Sequence, residues 1–587
     1  MRLSLLLVGL VGAVLAQEPE FPLTADSKVQ EGVAKGTMVK GGYLAGEESV
    51  FPGTQREYQL YLPAGFDKTK PTAFMVFQDG VIYQAPVVFD NLIAKGDIPP
   101  MVGVFIKPGV VPAANENALP RFNRSFEYDS VTPTYSKFLI EEFLPAVEAE
   151  HGVTFSTNPN EAAIAGNSSG GICAFMVAWH RPDRFRRVFT GVGTYVGIHG
   201  ADQLPVWVRK FEPKPIRVFL QSGTGDNNLY CGDWWMANQM MERSLTWAGY
   251  EVKHAWGEGG HNQKHASQVF PEAMRWLWRE WKTEFEVKAN VKGDSKWKGY
   301  EVVGAGDWEV VGVTGNRFLW LSSSVSGEVV SVDADSGDLW SIPETGDAKV
   351  FGASRPSEDH GPEVSGIEFT KDGRMIAVGS ELQDGLCEIR RDGSREPVDA
   401  SWGMRSSTLV LSSDGWAYAA YGWMPGILGF PFRDPREGDP EPTRLDCGVA
   451  LGELTLSCDQ TQLFGVRFGD PSIWVASIQG NHSLGNVQEF CRVEASPDGD
   501  AFVGGMSVDS HGWLYVATSL GIQVLDQAGR VNFIIPTPKP AHDVCFGGKD
   551  LGELFIACGD TIYKRATKAR GVVSGQMAPI KPAPPKL

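Results

Sequence analysis

A serine flanked by small residues sits between an apolar run and a helix-like run. The stretch is Ala162-Ala163-Ile164-Ala165-Gly166-Asn167-Ser168-Ser169-Gly170-Gly171, and Ile172-Cys173-Ala174-Phe175-Met176-Val177 follows it. This is G-x-S-x-G between a strand and a helix, a turn that lifts a nucleophilic hydroxyl clear of a sheet. Glycines around it let neighbouring backbone approach. Two later loops carry the groups such a serine needs. Q-S-G-T-G-D-N ends near Asp226, and G-E-G-G-H-N offers His261. A hydroxyl is a poor nucleophile near neutral pH. An imidazole must take its proton and return it to the leaving group, and a carboxylate must orient that imidazole. A tetrahedral oxyanion needs backbone donors. The expected ones are the N–H of Ser169 and one from the loop at Asp79 or Gly80. His265 rivals His261, and Asp233 and Glu258 rival Asp226. The pair His261/His265 has no third ligand beside it, so no metal and no cofactor is expected.

The elements that must position these groups alternate. Tyr58–Leu62, Ala73–Phe77, Met101–Ile106, Ala162–Ala165, Arg187–Gly191, Ile216–Leu220 and Val252–Trp256 read as strands. Phe138, Leu139, Phe143, Leu144 and Val147 recur at three and four spacing and predict a helix over 134–147. Further helices are expected at Trp234–Gly249 and Pro271–Trp281. Alternation of this kind predicts a mostly parallel sheet with helices on both faces. Reactive groups then lie on loops beyond the carboxyl ends of the strands. The chain order Ser168, Asp226, His261 is that of α/β-hydrolases.

Six segments in order carry a closer resemblance: F-Q-D-G (Phe77–Gly80), R-S-F-E-Y-D (Arg124–Asp129), F-L-I-E-E-F-L-P (Phe138–Pro145), G-N-S-S-G-G, G-T-G-D and G-G-H-N. Together they resemble the esterase D/enterochelin-esterase type of α/β-hydrolase, a group that includes the feruloyl and acetyl-xylan esterases of the first carbohydrate esterase family. The resemblance covers roughly residues 50 to 285. It implies Ser168 as nucleophile, Asp226 as acid and His261 as base. It also places Arg124 and Glu127 near the pocket, where a structural ion pair is the alternative. Trp234, with Tyr230 and Trp235, follows the acid loop and either stacks on substrate or joins the core.

The pattern changes after Trp281. Residues 284–299 are polar and read as a linker. Beyond them, apolar strands flank Asp-Gly-like turns again and again. The turn aspartates Asp372, Asp414, Asp459, Asp509 and Asp550 lie 42, 45, 50 and 41 residues apart. An earlier unit, Val313–Leu321, makes six. Repeats of this length predict propeller blades; a pair of β-sandwiches is the alternative. The run G-M-S-V-D-S-H-G-W-L-Y-V-A resembles gluconolactonase/senescence-marker-protein propellers, which hold a divalent metal in the central channel with Glu, Asn and Asp. Where the resemblance expects Asn and Asp ligands, this chain reads Gly452-Glu453-Leu454 and Gly504-Gly505-Met506. A binding or spacer role is therefore expected of this half rather than metal lactonase chemistry.

The organisation expected is multidomain: a leader (1–16), an α/β-hydrolase esterase domain (20–283), a linker (284–299), an all-β six-bladed propeller (300–572) and a disordered Pro/Lys tail (573–587). Arg2, the apolar run Leu5–Val14 and Ala16 before Gln17 read as a secretory signal, too short to span a bilayer. Export and a soluble mature protein are expected. Of 587 residues, 71 are acidic and 53 basic, a net charge of -18. That balance argues against nucleic acid or anionic membrane as a partner. The function expected is a secreted serine esterase acting on a small-molecule or polysaccharide ester of feruloyl or acetyl type. A siderophore esterase, a metal-dependent lactonase and a ligand-binding propeller are the alternatives.

Overall fold

The apolar run before Ser168 forms the strand Ala162–Asn167, all six residues buried. In the computed structural model it lies near the middle of a mixed sheet. The described residues are 20–585 apart from 305, 345, 354–363, 380–385, 400–407, 421–424, 433–442, 468 and 497–501. The expected leader, residues 1–16, lies outside them. The chain divides into two units, Met1–Val206 with Pro213–Ser295 and Trp207–Glu212 with Lys296–Leu587.

Across the first unit's sheet the order is Glu251–Gly260, Arg217–Gly225, Arg187–Gly191, Ala162–Asn167, Ala73–Gln78, Met101–Ile106, then Gln55–Leu62. The first six run parallel. Gln55–Leu62 is antiparallel to Met101–Ile106, and Thr37–Leu44 pairs antiparallel beyond it. Apolar strands such as Ala73–Gln78 and Met101–Ile106 are buried along their whole length. That requires cover on both faces. One face packs the helices Ala85–Lys95 and Lys264–Leu277 through Val88, Phe89, Leu92, Phe270 and Met274 against Phe77, Phe189 and Phe219. Right-handed crossovers put Ser169–His180 and Trp234–Ala248 on the other. The last helix begins at Lys264, seven residues before the expected start, and holds Pro271 inside it. Its buried stripe of His265, Ala266, Phe270 and Met274 outweighs the one backbone hydrogen bond that proline forfeits.

From Lys296 onward the second unit is all-β apart from short 3-10 turns among the described residues. Four sheets are four-stranded antiparallel blades, within 366–399, 408–450, 454–492 and 503–535. The expected six separate blades are not what the hydrogen bonds make. The fifteen-residue strand Glu309–Ser323 pairs at one end with Val329–Asp333 and at the other with Glu553–Ala566. First and last units thus merge into one six-stranded sheet. Three of the five predicted turns share one chemistry, and a fourth is bonded through its backbone. The Thr370, Ser412 and Ser457 hydroxyls donate to Asp372, Asp414 and Asp459, and Asp509 accepts the N–H groups of His511 and Trp513.

The expectation of a disordered tail is corrected for residues 573–585. Ser574 Oγ donates to Leu411 O (2.7 Å) and Gln576 Nε2 to Thr370 O (3.0 Å). The Ile580 N–H donates to Cys458 O (2.7 Å), and its side chain packs on a core containing Cys458 and Val508. Proline prevents helix and sheet here, yet an extended segment still bonds laterally to strand ends. Cys173, Cys231, Cys447, Cys458, Cys491, Cys545 and Cys558 form no disulfide. No described helix is long and apolar enough to cross a membrane.

Candidate active site

Ser168 stands at the turn between its strand and the helix Ser169–His180, with φ 58° and ψ -123°. Such a backbone angle is costly for a non-glycine residue and is held by its surroundings. The Ser168 N–H donates to Gly191 O (2.8 Å), and the Tyr83 hydroxyl donates to Gly166 O (2.9 Å). A Cβ at Gly166 would lie 2.0 Å from the Gly170 carbonyl oxygen, so only glycine lets the helix fold back this tightly.

The three distant groups meet. His261 Nε2 lies 2.7 Å from Ser168 Oγ, and His261 Nδ1 lies 2.6 Å from Asp226 Oδ1. Asp226 is buried and also accepts the Ser222 hydroxyl (2.8 Å) and the Asn227 N–H (2.8 Å). A carboxylate only accepts, so Nδ1 carries the imidazole proton and Nε2 faces the serine with a lone pair. A hydroxyl, imidazole and carboxylate in such a row can pass the serine proton to the ring.

The rivals lie elsewhere. His265 is buried, stacks on Phe21 at 4.5 Å and meets Gln221 Nε2 at 3.0 Å. Burial holds its imidazole below the ordinary value. Asp233 caps the helix Trp234–Ala248 by accepting the Met236 N–H, and Glu258 is exposed.

Two of the expected pocket positions are corrected. The Gly80 N–H donates to Ile106 O at 3.0 Å, so it is engaged by the neighbouring strand. Glu127 has no exposed side-chain surface and forms a two-pronged ion pair with Arg56 (2.9 and 3.0 Å), the structural alternative. Arg124 pairs in the same two-pronged way with Asp79 (2.7 and 2.8 Å), and those hydrogen bonds raise its guanidinium pKa further. The pair pins the loop that follows Ala73–Gln78. A Cβ at Gly170 would come within 3.0 Å of Asp79 Oδ2, which brings that loop against the start of the serine's helix. Trp234 is buried, its ring edge-on to His261 at 5.5 Å, and its Nε1–H donates to Thr194 Oγ1 at 3.2 Å. Thr194 is a site neighbour that sequence reasoning missed; it stands three residues past a strand end with no motif to mark it.

The second unit encloses a channel cavity of about 70 Å³ lined by Trp320, Glu368, Thr408, Glu453, Gly505 and Asp543. These residues do not fit the divalent cation that the resemblance implies. Among the described residues, no group of three or more His, Cys, Asp or Glu is placed to hold a metal ion. Asp543 accepts the N–H groups of Leu321 (2.6 Å) and Val544 (2.7 Å), and its Oδ1 fills the space where a Cβ at Gly505 would sit. Burial pushes the Glu368 carboxyl up to about 8 and Glu453 up to about 7.

Comparison with known proteins agrees with both halves. The Esterase family model matches residues 49–262, and the SMP-30/gluconolactonase/LRE-like region matches residues 454–559. The chain is 26% identical over 245 residues to an iron(III) enterobactin esterase of Dickeya dadantii (strain 3937), covering 38% of this chain and 52% of the relative. It thus spans about half the length of the curated relative it matches. Among solved structures, a ferulic acid esterase is 18% identical, with a TM-score of 0.33, over 42% of this chain and 99% of its own. A gluconolactonase from Xanthomonas campestris is 17% identical, with a TM-score of 0.38, over 46% of this chain and 91% of its own. Residues 49–262 are thus similar to the Esterase family and to an enterobactin esterase, and residues 454–559 to the gluconolactonase-like region.

Proposed function

We propose that the esterase-family domain is a serine hydrolase that cleaves a carboxylic ester through an acyl-enzyme. The row Ser168–His261–Asp226 carries the reading. Ser168 Oγ attacks the ester carbonyl while its proton passes to His261 Nε2. Asp226 holds the tautomer and stabilises the imidazolium. The N–H groups of Ser169 and Asp79 receive the oxyanion. His261 then protonates the departing alcohol, and water repeats the sequence on the acyl-enzyme. The test is hydrolysis of p-nitrophenyl acetate and methyl ferulate by wild type and Ser168→Ala. Loss of turnover, with an acyl adduct on the wild-type peptide containing Ser168, supports the reading. Full turnover by Ser168→Ala overturns it.

For the substrate we favour a carbohydrate-linked ester of feruloyl or acetyl type. Tyr230, 96% exposed on the acid loop, and Phe126, 63% exposed beside Arg124, offer rings for a sugar or an aromatic acid. An ester of the enterobactin kind is the second reading, supported by the Dickeya relative. A panel of acetylated, feruloylated and siderophore esters separates them. Export is part of the proposal and rests on residues 2–16; a mature protein that begins elsewhere than Gln17 counts against it. We read the second unit as a six-bladed propeller fused at its seam. In support, the strands Glu309–Ser323, Gly366–Phe369, Thr408–Leu411, Leu454–Leu456, Val503–Val508 and Asp543–Gly547 touch in sequence, and the last touches the first. Its role is to bind or present the substrate.

A further inference from the structure

We propose that Thr194, oriented by Trp234, is a positioning residue that donates a hydrogen bond to Ser168 Oγ and strengthens it as that oxygen gains charge. The inference rests on the acyl-enzyme reading above. It comes from counting protons. The indole N–H of Trp234 can only donate, and its partner at 3.2 Å is Thr194 Oγ1. Ser168 must give its own proton to His261 Nε2, because Nδ1 keeps its proton for Asp226. Thr194 Oγ1 lies 3.3 Å from Ser168 Oγ. With its acceptor side taken by Trp234 and the serine proton committed to the ring, the threonine proton points at a serine lone pair. Every proton in the row then points toward Asp226, from Trp234 through Thr194, Ser168 and His261.

The geometry holds this order in place. Thr194 is 1% exposed, and its N–H donates to Ser168 O at 3.2 Å. Trp234 is fixed by its own N–H to Asn227 O (2.9 Å). Asn238 Nδ2 bridges Trp234 O and Gly193 O, each at 2.9 Å. At 3.3 Å the hydroxyl pair is long for an O–H···O bond. Hydrogen bonds at reacting groups often tighten only as the reaction proceeds. A bond to a charged oxygen is shorter and stronger than one to a neutral hydroxyl. The contact therefore gains as Oγ loses its proton, which favours the transition state over the resting enzyme. A second serine lone pair stays free for the carbonyl carbon.

The test compares full-length wild type, Thr194→Val, Thr194→Ser and Trp234→Phe on a soluble p-nitrophenyl ester. Thr194→Val keeps the shape and loses the hydroxyl; its kcat is expected to fall about tenfold with KM unchanged. The rate of covalent inactivation by an organophosphonate should fall in parallel. Thr194→Ser should recover to within about twofold of wild type, and Trp234→Phe should fall between the two. Wild-type kcat in Thr194→Val overturns the proposal. So does a Thr194→Ser variant as slow as Thr194→Val, since the loss is then one of packing. Thermal unfolding checks each fold; if Thr194→Val is not recovered folded, Trp234→Phe decides, and an unchanged kcat there overturns it. Turnover that survives Ser168→Ala removes the nucleophile reading itself and is seen before Thr194 is touched.

Discussion

His261 Nδ1 lies 2.6 Å from Asp226 Oδ1 across 35 residues of chain. Three donors fix that carboxylate, so the ring is oriented before a substrate arrives. Asp226→Asn puts an amide in its place and favours the wrong tautomer. It is expected to lower kcat by about 10³–10⁴ with little change in KM. Steady-state kinetics on a soluble ester is the measurement; more than about a tenth of wild-type kcat would mean the ring is oriented by something else.

Arg124 grips Asp79 with two hydrogen bonds on the loop whose N–H is proposed to meet the oxyanion. Arg124→Ala should let that loop wander and cost about tenfold to a hundredfold in kcat, less than deletion of a donor outright. Arg124→Lys, which cannot reproduce the two-pronged grip, should recover only part of it. A loss confined to KM would instead make Arg124 a substrate contact.

The channel carboxyls tie the second unit's stability to pH. Burial lifts Glu368 from 4.5 to about 8 and Glu453 from 4.5 to about 7. Asp543 is raised by burial and by both neighbours. A carboxyl raised on folding binds its proton more tightly in the folded state, so stability is full below pH about 4.5 and falls as pH rises through the folded value. The second unit's unfolding midpoint should drop between pH 5 and 9 in calorimetry. Glu368→Gln and Glu453→Gln should flatten that drop. An unfolding midpoint that stays level in wild type across this window rules out protonated channel carboxyls.

The terminal segment acts as a strap. Gln576 and Ser574 bond to Thr370 and Leu411, and Gln460 Nε2 reaches both Ser574 O and Met577 O at 3.0 Å. Deleting residues 574–587 should destabilise the second unit by about 2–4 kcal/mol, since several hydrogen bonds and the burial of Ile580 are lost together. Denaturant unfolding followed by tryptophan fluorescence measures it. A truncated protein as stable as the full chain would show the strap to be a passenger.

Ser168, Asp226 and His261 are legible in the residues because each sits in a short local pattern: an apolar strand end, a glycine-rich loop, a fixed chain order. The alternation of strands and helices, and the change to hairpin repeats after Trp281, are also local and periodic. The aspartate turns belong to the same class, since a hydroxyl two residues away completes each of the first three.

What residues alone left open depends on partners far away in the chain. Whether Gly80 can offer its N–H depends on the register of Met101–Ile106, which takes it. Glu127 could face a pocket or an ion pair until Arg56, 71 positions earlier, is brought beside it. Trp234 could stack on a ligand or join the core until Thr194 meets its indole N–H. Two repeat units fuse because one long strand finds a partner at the other end of the second unit's sequence. A proline-rich tail reads as unstructured because nothing in it specifies helix or sheet, and only the packed blades supply the carbonyls it bonds to. Local propensity writes the elements and the turns, while hydrogen-bond partners and burial are properties of the assembled chain.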